Sequence, residues 1–314
     1  MNKLTVSISP HIHDKTTTTR IMLDVIIALV PAFIASILIF GTRAAVVTMV
    51  CVASCVFFEW GFEKITKRPN TIGDLTAIIT GILLAFNLPV TIPLWQAVFG
   101  SAVAIILVKQ LFGGLGKNFA NPAITARIVL FLAFSVTMTN WESPYDSARL
   151  WVYPIDGVAG ATPLVLLGRG ETEYLPSVMQ MFLGIRGGSF GETSNLALLL
   201  GGVYLVIRKV ITWHIPVVYI AVVALLTALL GENAIYHMFA GGLFLGAIFM
   251  ATDYVTSPQT KKGKLIFAAG AGLLTVLFRI YSSYPEGVSF AILLMNIFTP
   301  YINKYTQSVP LGKT

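Results

Sequence analysis

Long apolar runs joined by short polar segments dominate this chain. A helix that spans a bilayer needs about 20 mainly apolar residues, or somewhat fewer where its ends reach the interface. Segments of this character occur at 21–40, 43–62, 72–88, 94–113, 123–139, 194–209, 214–231, 236–253, 264–281 and 286–304. The pattern predicts an all-α integral membrane protein with about ten transmembrane helices.

The composition indicates the same class of protein. Of the 314 residues, 56% are hydrophobic and 11% are charged, and the mean hydropathy is +0.80. Soluble domains carry roughly a quarter charged residues, so this chain lacks the charge needed to cover a water-facing surface. A soluble enzyme is therefore excluded. The two cysteines, Cys51 and Cys55, cannot complete a four-ligand metal site on their own, so we expect no metal site and interpret them as packing residues.

The distribution of basic residues predicts the orientation in the membrane. Cytoplasmic loops of membrane proteins are enriched in lysine and arginine. With ten spans and cytoplasmic termini, 15 of the 21 basic residues fall inside, five fall outside and Arg127 lies within a span. The net charge of +7 thus reflects membrane topology, and no nucleic-acid partner is expected.

This topology divides the chain into five parts. They are a cytoplasmic N-terminal arm at 1–20, a first five-helix repeat at 21–139, an extracytoplasmic loop at 140–193, a second five-helix repeat at 194–304 and a cytoplasmic tail at 305–314. The predicted location is the cell inner or plasma membrane, with the lipid bilayer as solvent.

A weak internal repeat supports two related halves. Residues 81–93 (GILLAFNLPVTIP) and 246–258 (GAIFMATDYVTSP) are separated by 246 − 81 = 165 residues and share a Gly and a V-T-x-P turn. On the predicted topology the two copies have opposite orientations. We therefore expect two inverted five-helix repeats with broken helices near the V-T-x-P turns, an arrangement also found in urea-transporter-like channels.

The predicted outer loop contains the sequence Asp156-Gly-Val-Ala-Gly-Ala-Thr162-Pro. Two glycines and small neighbours leave the backbone before Thr162 open, which suits the approach of a modifying enzyme or of a bulky aromatic ligand. The same composition also describes an ordinary turn. Composition alone leaves both interpretations open.

This sequence resembles the flavinylation motif of the membrane subunits of the Rnf and Nqr respiratory complexes. Four other segments resemble the D subunit of Rnf and come in that family's order, namely 9–13 (SPHIH), 113–123 (GGLGKNFANPA), 252–258 (TDYVTSP) and 284–296 (YPEGVSFAILLMN). They extend from near the N-terminus to the last predicted span. The chain is thus similar to the family of Rnf complex D subunits and, more distantly, to the B subunit of Nqr.

The resemblance implies a membrane subunit of a complex that couples electron transfer between ferredoxin and NAD to Na⁺ or H⁺ translocation. It implies FMN joined through its phosphate to the Thr162 hydroxyl, with Asp156, Gly160 and Ala161 as part of the motif. The implied partners are the other membrane and peripheral subunits, including a second flavinylated subunit, and a flavin transferase. The chain contains no dinucleotide or ferredoxin fingerprint, so no complete active site is expected in it.

A second flavin is also implied, because the related Nqr protein holds a non-covalent riboflavin. Side-chain amides can bind a flavin's pyrimidine edge, which makes Asn118 and Asn121 candidate ligands. The structural alternative is that Asn121 is the N-cap of a helix whose first turn contains Pro122.

Charged residues are candidates for other roles. Ionisable groups cost about 3 kcal/mol at the centre of a span, so Asp24 and Asp253 are candidates for a cation path. Alternatively, Asp24 pairs with Arg127 or Lys109, and Asp253 caps the V-T-S-P turn. The loop cations Arg149, Arg169 and Arg186 are candidates for neutralising the flavin phosphate, or are solvated.

Two other functions are consistent with the predicted fold, which cannot decide among them. One is a urea-transporter-like channel, and the other is a scaffold subunit without a redox role. The D-G-x-x-G-A-T motif favours a flavin carrier, because a pore has no need for a modified threonine on its outer face.

Overall fold

The computed structural model describes residues 17–141, 162–282 and 286–307. In these ranges all regular structure is helical. Three of the described helices are long and apolar enough to cross a membrane, Thr18–Phe40, Thr42–Thr66 and Lys261–Tyr281, and several shorter apolar helices accompany them. The all-helical, membrane-type class is thereby confirmed, whereas the number of spans stays a prediction.

The helices are numbered in chain order through the described ranges. They are α1 (Thr18–Phe40), α2 (Thr42–Thr66), α3 (Thr76–Phe86), α4 (Leu94–Ala102), α5 (Pro122–Ala133), α6 (Ser135–Met138), α7 (Pro163–Arg169), α8 (Val178–Leu183), α9 (Asn195–Ile207), α10 (His214–Leu229), α11 (Ala234–Phe239), α12 (Leu243–Leu245), α13 (Lys261–Tyr281) and α14 (Val288–Thr306). Wider π-helical turns extend α4 over Val103–Gln110 and α12 over Gly246–Met250. Short 3₁₀ turns occur at Ile72–Asp74 and Thr172–Tyr174.

Helix α1 shows how the sequence sets an element's ends and faces. Thr17 precedes it as N-cap, its hydroxyl accepting a hydrogen bond from the Arg20 amide at 3.3 Å, and Gly41 follows with φ of 77°. Ala28, Ala32 and Ser36 recur every four residues and are buried. Small residues at this spacing let another helix approach closely, so this face packs inside the protein.

Close helix packing depends on glycine at two main contacts. Gly201 of α9 lies so close to the Ala28 carbonyl of α1 that a Cβ would clash with it. Gly81 of α3 would place a Cβ 2.7 Å from the Val52 Cα of α2. Backbone-to-backbone contacts of this kind are typical of membrane helices, where packing rather than the hydrophobic effect drives association.

The packing joins the N-terminal helices to the C-terminal ones in two places. Helix α1 packs against α9, and α5 packs against α14. Within each half, α2 contacts α3 and α4, while α10 contacts α11 and α13. The core between these pairs includes Leu84, Phe86, Ile124, Leu198 and Phe267, all fully buried.

Two irregular segments interrupt the helices where the V-T-x-P sequences occur. One follows α3 over residues 87–93, and the other follows the π-helical turn after α12, over residues 251–260. Asn87 begins the first segment and is buried, donating its side-chain amide to the Leu83 carbonyl at 2.6 Å. Irregular backbone is tolerated at membrane depth only where protein surrounds it or where it lines a cavity.

The described part of the predicted loop 140–193 is more ordered and more buried than the sequence suggests. It contains α7 and α8. The segment 186–195 that follows α8 is irregular except for Asn195, which begins α9, and is buried throughout. The Phe190 amide donates to the Leu88 carbonyl at 3.4 Å, and Gly191 packs directly on Phe86. The end of the predicted loop is therefore packed inside the protein, against the irregular segment 87–93 that follows α3, and is not an exposed loop.

Candidate functional site

Thr162 stands just before α7 and is 3% exposed. Its backbone carbonyl accepts the amides of Val165 at 2.9 Å and Leu166 at 3.1 Å, whereas its hydroxyl makes no N-cap bond. The buried Oγ1 atom has no hydrogen-bond partner among the described residues. A buried hydroxyl without a partner costs free energy, so this atom needs an explanation that the contacts of the described residues do not supply. Asp156, Gly160 and Ala161 of the same motif lie outside the described residues.

Five buried or half-buried charges lie close enough to interact electrostatically, with Glu286 interacting with each of the other four. We call them the central charged group, and its members are Arg127, Arg186, Glu192, Arg279 and Glu286. Arg127 and Glu286 form an ion pair with a distance of 2.8 Å between Nη2 and Oε2. The sequence interpretation missed both glutamates as site residues.

Arg127 also ties the break after α3 to the start of α14. Its Nη1 atom donates to Asn87 Oδ1 at 3.2 Å and to Ser289 Oγ at 2.7 Å. The Ser189 hydroxyl donates to the Asn87 carbonyl at 3.3 Å, and the Ser189 amide donates to Glu192 Oε1 at the same distance. One continuous hydrogen-bonded path thus joins α5, α14 and the buried segment 186–195.

Several polar atoms near this group have no hydrogen-bond partner in the described part of the chain. They are Thr162 Oγ1, Glu192 Oε2, Asn195 Oδ1, both ring nitrogens of His237, Arg279 Nε and Glu286 Oε1. Native proteins leave few buried polar atoms unpaired, so a concentration of them is typical of a place that holds water or a ligand.

A cavity of about 120 Å³ brings together three residues that the sequence singled out separately. Asn118, Asn121 and Asp253 all line it, with Lys109 and Thr76 on another side. The remaining lining is mainly apolar and comes from α1, α3, α9 and the turn after Met250. A mainly apolar lining with a few convergent polar groups is typical of a cofactor site, whereas the volume is below the roughly 300 Å³ of small ligand pockets.

The two asparagines at this cavity play different structural roles. Asn121 is the N-cap of α5, as predicted, because its Oδ1 atom accepts the amides of Ala123 at 3.0 Å and Ile124 at 3.3 Å. Its Nδ2 atom donates to the Met250 carbonyl at 3.5 Å. Asn118 Nδ2 donates to the Ala120 carbonyl at 3.1 Å, and its Oδ1 atom accepts no hydrogen bond within the described ranges. Asn118 therefore has the freer side chain.

Asp253 caps the turn that follows α12. Its Oδ1 atom accepts the Val255 amide at 3.3 Å, and its Oδ2 atom accepts the Thr256 hydroxyl at 3.0 Å. The neighbouring Tyr254 donates its hydroxyl to the Val210 carbonyl, and burial raises the pKa of this phenol. Asp253 thus has a structural role and also reaches the cavity.

Asp24 has partners other than the two that the sequence suggested. Its carboxylate accepts the Tyr204 hydroxyl of α9 at 2.8 Å and Nη2 of Arg208, the residue directly after α9, at 3.1 Å. Asp24 does form an ion pair, but the expected partners, Arg127 and Lys109, were wrong. The reason is the packing of α1 on α9, which a single sequence does not reveal.

Lys109 belongs instead to a buried polar network on the second helix. Its Nζ atom lies 2.6 Å from Glu59 Oε1 and 2.6 Å from Thr76 Oγ1. Gln110 Nε2 donates to Glu59 at 3.1 Å and to Glu63 at 3.4 Å. The signal for this network was a spacing of four residues, because Cys51, Cys55, Glu59 and Glu63 form one buried stripe of α2.

The remaining candidate residues differ in how far they are exposed to solvent. Arg169 is exposed, and Arg186 is 2% exposed. Both cysteines are buried and unpaired. Arg149 lies outside the described residues.

Comparison with known proteins identifies close relatives. The profile of the NQR2, RnfD, RnfE family matches residues 5–312. The chain is 47% identical over 313 residues to the D subunit of the Na(+)-translocating ferredoxin:NAD(+) oxidoreductase complex of Acetobacterium woodii, covering 99% of this chain and 96% of the relative. It is 43% identical over 326 residues to the D subunit of the proton-translocating ferredoxin:NAD(+) oxidoreductase complex of Clostridium ljungdahlii, covering 99% of this chain and 97% of that relative.

A more distant relative matches over almost the same length. The D subunit of the ion-translocating oxidoreductase complex of Stutzerimonas stutzeri is 38% identical over 325 residues, covering 94% of this chain and 92% of the relative. The match thus includes the segments around Thr162, the cavity and the central charged group together.

Proposed function

This chain belongs to the NQR2, RnfD, RnfE family, and we propose that it carries electrons on an FMN bound covalently to Thr162. It is a membrane subunit of an ion-translocating ferredoxin:NAD oxidoreductase complex, as its full-length relatives are. Ferredoxin and NAD are handled by other subunits, since the chain has no fingerprint for either. The catalytic reaction accordingly belongs to the complex and not to this chain alone.

The observation that carries the proposal is the unpartnered hydroxyl of Thr162. Its Oγ1 atom is buried, accepts and donates no hydrogen bond among the described residues, and leaves the start of α7 uncapped. The transferase would join Oγ1 to the FMN phosphorus while breaking the phosphoanhydride bond of a flavin dinucleotide donor, with the nucleoside monophosphate as leaving group. The hydroxyl proton is lost in this step, which removes the unpaired donor. Bound there, FMN would accept and pass on electrons. The residues present therefore fit the group.

Burial of Thr162 sets a condition on the attachment. A separate flavin transferase needs access to Oγ1, and this side chain is 3% exposed. Attachment therefore takes place before α7 packs against its neighbours, or while the region around Thr162 is displaced. Among the described residues, the apolar contacts that hold α7 are few, because Leu164 packs in a small cluster with Met181 and Ala240, against which Tyr236 and Phe239 also pack. A small cluster of this kind opens at low cost compared with the main core.

We also propose a second, non-covalent flavin at the cavity that Asn118, Asn121 and Asp253 line, whose walls would have to move apart, because its volume of about 120 Å³ is below the roughly 300 Å³ of small ligand pockets. Apolar side chains from α1, α3 and α9 would contact the ring system, and Asn118 Oδ1 supplies an unoccupied acceptor for a ring N–H. Riboflavin is the flavin proposed here, because Lys109, the one cation among the described residues that line this cavity, is already paired with Glu59 and is not free to receive a phosphate.

We further propose that ten helical segments form two inverted repeats. The helix starts support a common offset, with 243 − 76 = 167 for α12 and α3, 261 − 94 = 167 for α13 and α4, and 288 − 122 = 166 for α14 and α5. The contacts of α1 with α9 and of α5 with α14 then join equivalent helices of the two halves. Contacts between equivalent helices are expected next to a pseudo-two-fold axis.

The experiment for the covalent flavin compares three variants made together with the flavin transferase. Intact mass should show one FMN phosphate ester per chain, and peptide mapping should place it on Thr162. Thr162→Ala should abolish the fluorescent band on a denaturing gel, and Thr162→Ser should retain some of it. Thr139→Ala, which changes an exposed threonine outside the motif, is the matched control and should keep the full signal. A wild-type chain without the adduct, or with it on another residue, refutes the proposal.

A further inference from the structure

The central charged group contains more positive than negative charge. Three arginines and two glutamates give 3 − 2 = +1. Arg127 is paired with Glu286, but neither Arg186 nor Arg279 has a carboxylate oxygen within 4.0 Å in the described ranges. Arg186 is 2% and Arg279 7% exposed. Burying a cation without a partner is costly, so an anion is expected in reach of these two side chains.

The two arginines meet at one backbone turn, between α11 and α12. Arg279 Nη2 donates to the Ala240 carbonyl at 2.9 Å, and Arg186 Nη2 donates to the Gly241 carbonyl at 3.2 Å. Their other donors also reach only carbonyl oxygens, those of Glu192, Thr193 and His237. Carbonyl oxygens satisfy donors without neutralising charge. Arg279 Nε has no partner at all among the described residues.

This turn touches the segment that carries Thr162. A Cβ built on Gly241 would lie 3.0 Å from Leu164 Cδ1 and 3.2 Å from Arg279 Nη2. Leu164 of α7 and Arg279 of α13 therefore both approach the Gly241 position. Leu164 is two residues after Thr162. Gly241 has φ of 61° and no side chain, which lets Leu164 of α7 and the guanidinium of Arg279 both come close to this turn.

We infer that Arg279 and Arg186 are the cations that balance the phosphate ester on Thr162. This rests on the proposed FMN at Thr162. The ester keeps one negative charge on its phosphate, which equals the excess of +1 in the central charged group. Charged groups in a water-poor interior interact over longer distances than in water, so the balance does not require direct contact. Arg279 and Arg186 are positioning residues for the flavin and take no part in its redox chemistry.

The test measures whether the flavin ester and the arginine stabilise the protein jointly. The full chain is made with and without the flavin transferase, intact mass verifies each state, and thermal unfolding in detergent is followed by tryptophan fluorescence. The ester should raise the wild-type Tm by about 3 °C, the size expected for a modest electrostatic gain in a chain of this length. In Arg279→Gln this rise should vanish, and in Arg279→Lys, which keeps the charge, most of it should return.

Arg43→Gln is the matched control. Arg43 also donates to a backbone carbonyl, that of Ile92 at 3.1 Å, without a carboxylate partner in the described chain, but it lies between other helices. Its variant should show the full rise on flavin attachment. If Arg279→Gln fails to accumulate, Arg186→Gln and Arg279→Lys complete the comparison.

The outcomes separate the two proposals. An adduct on Thr162 together with an equal rise in Tm in wild type and in Arg279→Gln overturns the charge balance and leaves the flavin assignment standing. Absence of an adduct on wild-type Thr162 overturns the flavin assignment, and the charge balance falls with it. A rise that disappears in Arg279→Gln and in Arg43→Gln alike also counts against the assignment, because it points to general loss of stability.

Discussion

Lys109 and Glu59 form the most deeply buried ion pair in the described part of this protein. Their Nζ and Oε1 atoms are 2.6 Å apart, and their side chains are 4% and 0% exposed. Lys109 comes from the π-helical end of α4 and Glu59 from α2. The wider turn changes which side chains face α2, so that Lys109 and Gln110, adjacent in sequence, both reach the same carboxylate.

We expect Lys109→Met to destabilise the protein by about 3 to 5 kcal/mol, because it leaves a buried carboxylate without its counter-ion. The double variant Lys109→Met with Glu59→Gln should recover a large part of this loss. The measurement is the thermal or denaturant-induced unfolding of the purified chain in detergent. Lys262→Met, at an exposed position of α13, is the control and should change stability by less than about 0.5 kcal/mol. A Lys109→Met variant as stable as this control would contradict the prediction.

The sequence predicts interactions between residues that are close along the chain, but not those between residues that are far apart along it. The cap at Asn121 and the turn at Asp253 involve residues two to three positions away, and both local interpretations are confirmed. The partner of Asp24 is 184 positions away and that of Lys109 is 50 away. Such pairs depend on which helices pack together, which hydropathy does not encode.

The buried segment 186–195 shows a second limit of sequence-based prediction. Its residues are polar and glycine-rich, so the pattern indicates a surface loop. It is buried because other irregular backbone surrounds it and because Arg186 satisfies its carbonyl oxygens at Glu192 and Thr193. Glu192 was therefore missed as a site residue.

The orientation of the outer segment is testable by labelling. Glu173 is exposed in the short turn after α7, and we expect Glu173→Cys to react in intact cells with an impermeant maleimide. The physical reason is the excess of lysine and arginine on the opposite side of the membrane. The native Cys51 and Cys55 are fully buried and should not react, so the wild-type chain is the background control. Labelling only after the membrane is opened would reverse the predicted topology.

Asp253→Asn separates a structural from an ion-conducting role. Asparagine keeps an oxygen for the Val255 amide but removes the charge at the cavity. We expect the variant to fold and retain its flavins while ion translocation into sealed vesicles falls. Asp24→Asn is the matched control, because that carboxylate is already paired with Arg208 and should affect transport little. Equal transport rates in wild type and Asp253→Asn would limit Asp253 to capping the turn.

The two asparagines of the cavity give the sharpest test of the second flavin, because their structural roles differ. Asn121→Ala removes an N-cap and should cost about 1 kcal/mol of stability as well as bound flavin. Asn118→Ala removes one bond to the Ala120 carbonyl and should leave stability almost unchanged. Because the proposed flavin binds the free Oδ1 atom of Asn118, the Asn118→Ala protein should lose this flavin while keeping its stability.

The measurement is the flavin released from the purified protein by acid, which leaves the ester on Thr162 in the precipitate. We expect wild type to release close to one riboflavin per chain and Asn118→Ala to release at least tenfold less after washing, because an unpaired buried flavin N–H loses more than one hydrogen bond's free energy. Asn70→Ala, at an exposed asparagine away from the cavity lining, is the control and should release the wild-type amount. Wild-type riboflavin content in Asn118→Ala would exclude this residue as a ligand, and absence of released flavin from the wild-type protein would refute the second flavin.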